Sequence, residues 1–132
     1  MKNLIFCLVF ILVGCSKSNK IDPDGLKYGE SYVFDKSLDA KIAFVDVQDG
    51  RCCRQCKCFI AGWITVTLDV TSPDTQKQTI KLFLALKEED RSAIVKIKGQ
   101  NFKIYFVSVY PDNEDWSSKK EDYSVVLQIT KI

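Results

Sequence analysis

Four cysteines fall within seven residues, at Cys52, Cys53, Cys56 and Cys58, in the run Gly50-Arg51-Cys52-Cys53-Arg54-Gln55-Cys56-Lys57-Cys58. Such a cluster can close disulfides, bind Cu(I) or Zn(II) through thiolates, or exchange electrons through Cys53-x-x-Cys56. Arg51, Arg54 and Lys57 would favour thiolates by lowering the thiol pKa values and offsetting charge. Against metal, four ligands on one short loop rarely close a tetrahedral cage, and the chain has no histidine to help. Against redox chemistry, the thioredoxin-like βαβ pattern that sets such a pair at a helix start is missing. Of the three possible pairings, Cys52–Cys53 with Cys56–Cys58 is the most strained. The nested pairing, Cys52–Cys58 around Cys53–Cys56, closes a knuckle between two strands and is the expected one. Ligation of metal by Cys52, Cys53, Cys56 and Cys58 stands as the alternative. Bridges over such short loops remove little unfolded-chain entropy, about 1–2 kcal/mol each, so their main effect is on loop shape.

Other chemistry is narrowed by composition. With no histidine, Ser-His and Cys-His nucleophiles, histidine acid–base work and the usual zinc enzyme sites are absent. Asp46 and Asp49 flank the knuckle, and Asp49-Gly50-Arg51 reads as a turn held by an internal ion pair, since calcium needs six or more oxygens. Asp112, Asn113, Glu114 and Asp115 beside Trp116 read as a solvated acidic loop, and Asp22 and Asp24 as turn residues. Lys98-Gly99 has nothing else of a phosphate loop. Trp63 reads as a core or rim residue and Trp116 as a loop anchor. No catalytic residue, enzyme activity or cofactor is expected.

The charge balance is 19 Lys+Arg against 17 Asp+Glu; residues 1–14 hold one lysine and no acid, so 18 against 17 remain beyond them. Nucleic acid, which demands a basic excess on one face, is therefore not an expected partner. A chain of 132 residues, 46% of them hydrophobic, can fill the core of one domain.

The N-terminal stretch is an address. Met1-Lys2-Asn3 is a short positive start, and Leu4 to Val13 is an unbroken apolar run of ten residues. As a helix it covers about 15 Å, half of a ~30 Å hydrocarbon core, which suits a signal peptide better than a span. The run ends in Leu12-Val13-Gly14-Cys15, which resembles the lipobox of bacterial lipoprotein signal peptides. The resemblance implies cleavage after residue 14, acylation of Cys15 and anchoring in a membrane. Two or three acyl chains, at ~0.8 kcal/mol per buried methylene, hold firmly. Ser16, where an aspartate would retain such a lipoprotein in the inner membrane, points to the outer membrane. The basic Ser16-Lys17-Ser18-Asn19-Lys20, in place of an acidic export cluster, points to its periplasmic face. Residues 15–25 read as a lipidated tether, and Cys7 leaves with the signal peptide. Export also places the remaining four thiols where even cysteine numbers are read as disulfides.

The elements that must position the knuckle are strands. Ile64, Val66, Leu68 and Val70 alternate with Thr65, Thr67, Asp69 and Thr71, and Tyr123, Val125, Leu127 and Ile129 alternate likewise. Ile80, Leu82, Leu84 and Leu86 form a third set, and Phe102, Ile104 and Phe106 a fourth. Weaker runs are Tyr32 to Phe34, Lys41 to Val47 and Ala93 to Lys98. Lys98-Gly99-Gln100-Asn101 is a hairpin connection, and Thr71 to Gln78 with Pro73-Asp74 a turn region. Leu86 to Ser92 is a single helical turn or a charged loop, and Tyr110 to Lys120 the longest polar loop. The expectation is all-β: one antiparallel β-sandwich, immunoglobulin-like in architecture, of about seven strands, over residues 26–132.

Residues 41–71 resemble a pattern in small lipoproteins and secreted proteins of Bacteroidetes-type bacteria, a family without an established activity. Its core reads Asp-Ser-Arg-Cys-Pro, a few residues, Cys, an apolar-Trp pair, Ala-Gly and an alternating strand. Asp49, Arg51, Cys52, Cys58, Ala61 and Gly62 fall on matching positions, while Gly50, Cys53 and Ile60 replace the serine, proline and tryptophan. The resemblance implies Cys52–Cys58 as the family bridge, with Cys53 and Cys56 as additions. Tyr110-Pro111 and Asp122-Tyr123 look like its C-terminal pattern. The function expected is non-catalytic binding or scaffolding at a membrane surface. The protein is expected to be a monomer presenting loops to an envelope protein or a glycan; a thiol-based copper or zinc protein, or a redox protein, is the alternative.

Overall fold

Inward-facing aliphatic and aromatic residues at period two can be buried only if two sheets face each other. A computed structural model of the chain describes residues 18–20, 25–53, 56–60, 62–84, 88–111 and 119–132. The described residues form strands β1 (Ser18–Lys20), β2 (Leu26–Lys27), β3 (Ser31–Asp35), β4 (Ala40–Asp49), β5 (Ile64–Ser72), β6 (Thr75–Leu84), β7 (Ser92–Ile97), β8 (Gln100–Tyr110) and β9 (Ser124–Lys131). One sheet has the order β3-β4-β5-β6. The other runs β1-β9-β8-β7, with β2 also on β9. Every pair is antiparallel. The protein is thus an all-β, two-sheet antiparallel sandwich. The first sheet and the β7-β8-β9 part of the second join strands that follow one another in sequence, whereas β1 and β2 reach across the chain to pair with β9.

The core follows the sequence alternation. Ile64, Val66, Leu68 and Val70 of β5, Val125, Leu127 and Ile129 of β9, and Phe102, Ile104 and Phe106 of β8 are all buried. Leu82 is buried on β6, Ile80 and Leu84 pack at its margin, and Leu86 lies outside the described residues. Phe34 and Phe102 meet edge to face between the sheets, with ring centroids 5.3 Å apart.

Two segments differ from the sequence reading, and a third falls within it. Ser18–Lys20, read as part of a tether, pair with β9 from Ser18 opposite Thr130 to Lys20 opposite Gln128. The outer edge of β9 offers unpaired backbone groups, and that pairing asks nothing of side-chain polarity. The turn region of residues 71–78 narrows to Pro73-Asp74, with Ser72 opposite Thr75. A proline followed by a positive φ of 61° at Asp74 completes a two-residue turn. The polar residues after it lie on an edge strand and need no burial. The segment read as helical turn or charged loop contains a 3-10 turn, Glu88–Arg91.

Two strands read weakly or imperfectly because each carries a bulge. In β4, Phe44 pairs with Leu68 and Asp46 with Thr67, leaving Val45 unpaired. In β8, Phe106 pairs with Leu127 and Ser108 with Val126, leaving Val107 unpaired. A bulge shifts the alternation by one residue. Ala40, Ile42 and Phe44 therefore face inward before Val45, and Val47 and Asp49 after it. Arg91 Nη2 donates to the Val107 carbonyl at 2.9 Å, satisfying a group the ladder would otherwise use.

Candidate functional site

The bulge at Val45 is what turns Asp49 toward the gap between the sheets. An unbroken β4 would send that side chain outward, where it would be one more surface carboxylate. Turned inward, it sits at the open end of the sandwich, where β9 begins. Tyr123, just before β9, donates its hydroxyl to Asp49 Oδ2 at 2.8 Å. Arg51 donates from Nε to Oδ1 at 2.9 Å and from Nη2 to Oδ2 at 2.8 Å, a two-pronged pair. Its backbone N–H donates to the same Oδ1 at 3.0 Å, closing the turn. Arg51 Nη2 also donates to the Pro111 carbonyl, 3.0 Å away at the end of β8. The side chains of Arg51 and Asp49 are only 14% and 19% exposed. One carboxylate and one guanidinium thus clasp β4, the end of β8 and the start of β9. A second tie, Lys120 Nζ to Asp46 Oδ1, links the sheets on the outside.

The clasp fixes both protonation states. Burial pushes the Asp49 carboxyl up, but hydrogen bonds from Arg51 and Tyr123 outweigh it and hold it below the usual carboxylate range. Burial, the bond to Asp49 and that residue's charge push the Tyr123 phenol up to about 12. The Lys120 hydrogen bond likewise holds Asp46 low. The hydrogen bonds that contribute to both shifts belong to the clasp that ties β4, the end of β8 and the start of β9 together.

Beyond the clasp comes the knuckle. The Cys52 and Cys58 sulfurs are placed as a disulfide with Cα atoms 6.0 Å apart, and Cys53 and Cys56 likewise with 5.1 Å. The backbone N–H of Cys56 donates to the Cys53 carbonyl at 3.0 Å, making the inner loop one tight turn. At the base, the Gly50 N–H donates to the Trp63 carbonyl at 2.9 Å. The two ends of the loop are in backbone contact there. A Cβ on Gly62 would run into the Gly50 carbonyl oxygen and lie 2.7 Å from Arg51 Cα. Only glycine fits, which gives a steric reason for glycine at that place.

All four expected cysteines come together in the nested arrangement. Among the described residues no group of three or more cysteine or acidic side chains is placed to hold a metal ion. Asp46 and Asp49 meet basic partners instead. Trp63 is a rim residue, 55% exposed. Cys15, Asp22, Asp24, Ala61, residues 112–115 and Trp116 lie outside the described residues. The sequence reading missed the role of Tyr123, which alternation marks only as a core position, and of Lys120. The signal for Tyr123 was weak but present: a tyrosine heading an aliphatic face brings a hydroxyl that must find a partner when buried. Comparison with protein-family models, with curated proteins and with solved structures returns no match.

Proposed function

We propose that the chain is a lipid-anchored cell-envelope protein, held by acylated Cys15 at the periplasmic face of the outer membrane. Its sandwich serves as a non-catalytic binding module that presents loops to a protein or a glycan. The observation that carries the reading is the register of β1 on β9. Ser18, three residues after Cys15, stands opposite Thr130, whereas the knuckle is clasped to Tyr123 at the other end of the same strand. Seven residues at about 3.3 Å each separate the two ends by roughly 23 Å. An anchor at residue 15 therefore leaves the knuckle at the pole remote from the membrane, braced by sulfur and by the clasp. The locked protonation states of Asp49 and Tyr123 agree with a structural task.

Mass spectrometry of the protein from its own cells tests this. The expected N-terminal peptide begins at Cys15 and carries diacylglycerol and an amide-linked acyl chain. A Cys15→Ala variant should be released from the membrane fraction. An intact methionine start on a soluble chain would overturn the reading.

A further inference from the structure

The outer surface of the knuckle is apolar. Phe59 is fully exposed, Ile60 is 77% exposed and Trp63 is 55% exposed, all within five residues. Tyr110, 68% exposed, belongs to the same pole, next to the Pro111 carbonyl that Arg51 holds. Scattered surface apolar residues need no explanation, but consecutive exposed Phe-Ile directly after the outer bridge at Cys58 does. Held between the bridge at Cys58 and the close backbone approach at Gly62, this segment has little freedom to lose on binding, and large apolar anchors supply much of the energy at protein interfaces. From Gly50 to Trp63 the sequence holds Arg51, Arg54 and Lys57 and no carboxylate. Arg51 is committed to Asp49, and Lys57 is exposed beside the tip.

We propose that this apex is a docking site for a partner protein that offers an apolar pocket rimmed by carboxylates, Phe59 and Ile60 entering the pocket and Lys57 meeting the rim. This deepens the binding-module reading above and rests on it. Three other occupants fit less well. A glycan would need a fan of hydrogen-bonding side chains around a stacking ring, and Phe59-Ile60 supplies none. The bilayer holding Cys15 lies at the opposite pole. A two-fold pair of apexes would bring together two loops that hold basic residues and no carboxylate, like charge near like.

The test is photocrosslinking in the native cells, with the full-length chain carrying a photoreactive amino acid at residue 59, at 60, or, as control, at Ile94. Ile94 is a 64% exposed residue of β7 remote from the knuckle. The expected result is one discrete protein adduct from 59 and 60, none from 94, and at least a tenfold loss of adduct on adding Lys57→Glu. Thermal denaturation of each variant should match the parent, since these side chains are largely exposed. An adduct of twice the chain mass, an adduct with lipid alone, equal adducts from all three positions, or no adduct overturns the proposal. An adduct indifferent to Lys57→Glu overturns the carboxylate rim. The N-terminal mass of the same material separates the two readings. A lipidated chain without adduct sinks the docking site alone, and an unlipidated chain with the charge-dependent adduct sinks the anchor alone.

Discussion

The two poles of the sandwich are closed in opposite ways. At the pole of Thr130, the β5–β6 and β7–β8 hairpins turn in two residues, Pro73-Asp74 and Lys98-Gly99, and the β3–β4 hairpin in residues 36–39. Each turn carries a residue at positive φ: Asp74 at 61°, Lys98 and Gly99 at 47° and 79°, Asp39 at 47°. Two consecutive positive φ values at Lys98-Gly99 make the tight turn whose twist matches the flanking strands. The backbone conformation of each turn is local, and one tie from outside joins two of them, the Ser72 hydroxyl donating to the Leu38 carbonyl at 2.7 Å. At the knuckle pole, beside the short β2–β3 turn whose Tyr28 N–H donates to the Tyr123 carbonyl, the long connections are residues 50–63, 85–91 and 111–123. Short-range backbone rules cannot set loops of that length. The ends of residues 50–63 and 111–123 are fixed by Asp49, Arg51 and Tyr123, by backbone contact at Gly62 and by the cysteine pairs, and Arg91 ties the end of residues 85–91 to the Val107 carbonyl. Local turn chemistry sets one pole, and contacts between residues far apart in sequence set the other.

The contrast can be broken most severely with one methyl group. Gly62→Ala should cost about 3 kcal/mol, because the added carbon overlaps rigid backbone. Gly99→Ala, with open space around it and only the positive φ to oppose it, should cost about 1 kcal/mol. Urea denaturation of the two variants side by side checks this; equal losses would mean that the base of the knuckle is not closely packed.

Cutting the clasp is the next largest effect. Asp49→Ala leaves the Arg51 guanidinium and the Tyr123 hydroxyl without their shared acceptor and should cost about 2–3 kcal/mol. Tyr123→Phe, which leaves the ion pair whole, should cost about 1–2 kcal/mol. The pH dependence sharpens the assignment. Asp49 has a lowered folded pKa, so its contribution is complete above the unfolded carboxyl value near ~4 and is lost as pH falls below it. Tyr123 has a raised one, so its contribution is complete below ~10 and is lost as pH climbs toward about 12. Asp49→Asn should flatten the acid side of a Tm-against-pH curve, and Tyr123→Phe the alkaline side. Unchanged flanks would remove the clasp from the account of stability.

Sulfur should matter less to stability than to loop shape. Thiol titration of denatured, unreduced protein should find no free thiol in the mature chain, and four thiols with bound copper or zinc would instead favour the metal alternative. Reduction should lower stability by about 1–2 kcal/mol per bridge, with amide exchange accelerating at residues 50–63 and not at the opposite hairpins. The smallest effect lies in those hairpins. Lys98→Asn puts a residue tolerant of positive φ where a lysine now sits and should add about 0.5 kcal/mol.

Much of this molecule is legible in its sequence. Alternation in residues 64–70, 102–106 and 123–129 names the buried faces without any tertiary information, because period two and burial on one side are the same statement for a strand. The hairpin connection read at Lys98-Gly99-Gln100-Asn101 is also local, although the folded turn narrows to Lys98-Gly99 and Gln100 and Asn101 begin β8. For the four clustered cysteines, geometry on paper disfavours only the pairing of adjacent Cys52 and Cys53, and leaves the partner of Cys53 and Cys56 open. Other features had to wait for the folded chain. No propensity places the bulge at Val45, which arises where β4 must stay paired with β5 while its end turns toward the other sheet. Without that bulge Asp49 would face water, and with it the carboxylate meets a tyrosine seventy-four positions later. Nor could the register of β1 on β9, which sets the knuckle and Ser18 at opposite poles, be read from three polar residues. Such pairings depend on which edges and ends the rest of the chain leaves open, and that is decided only when both sheets are in place.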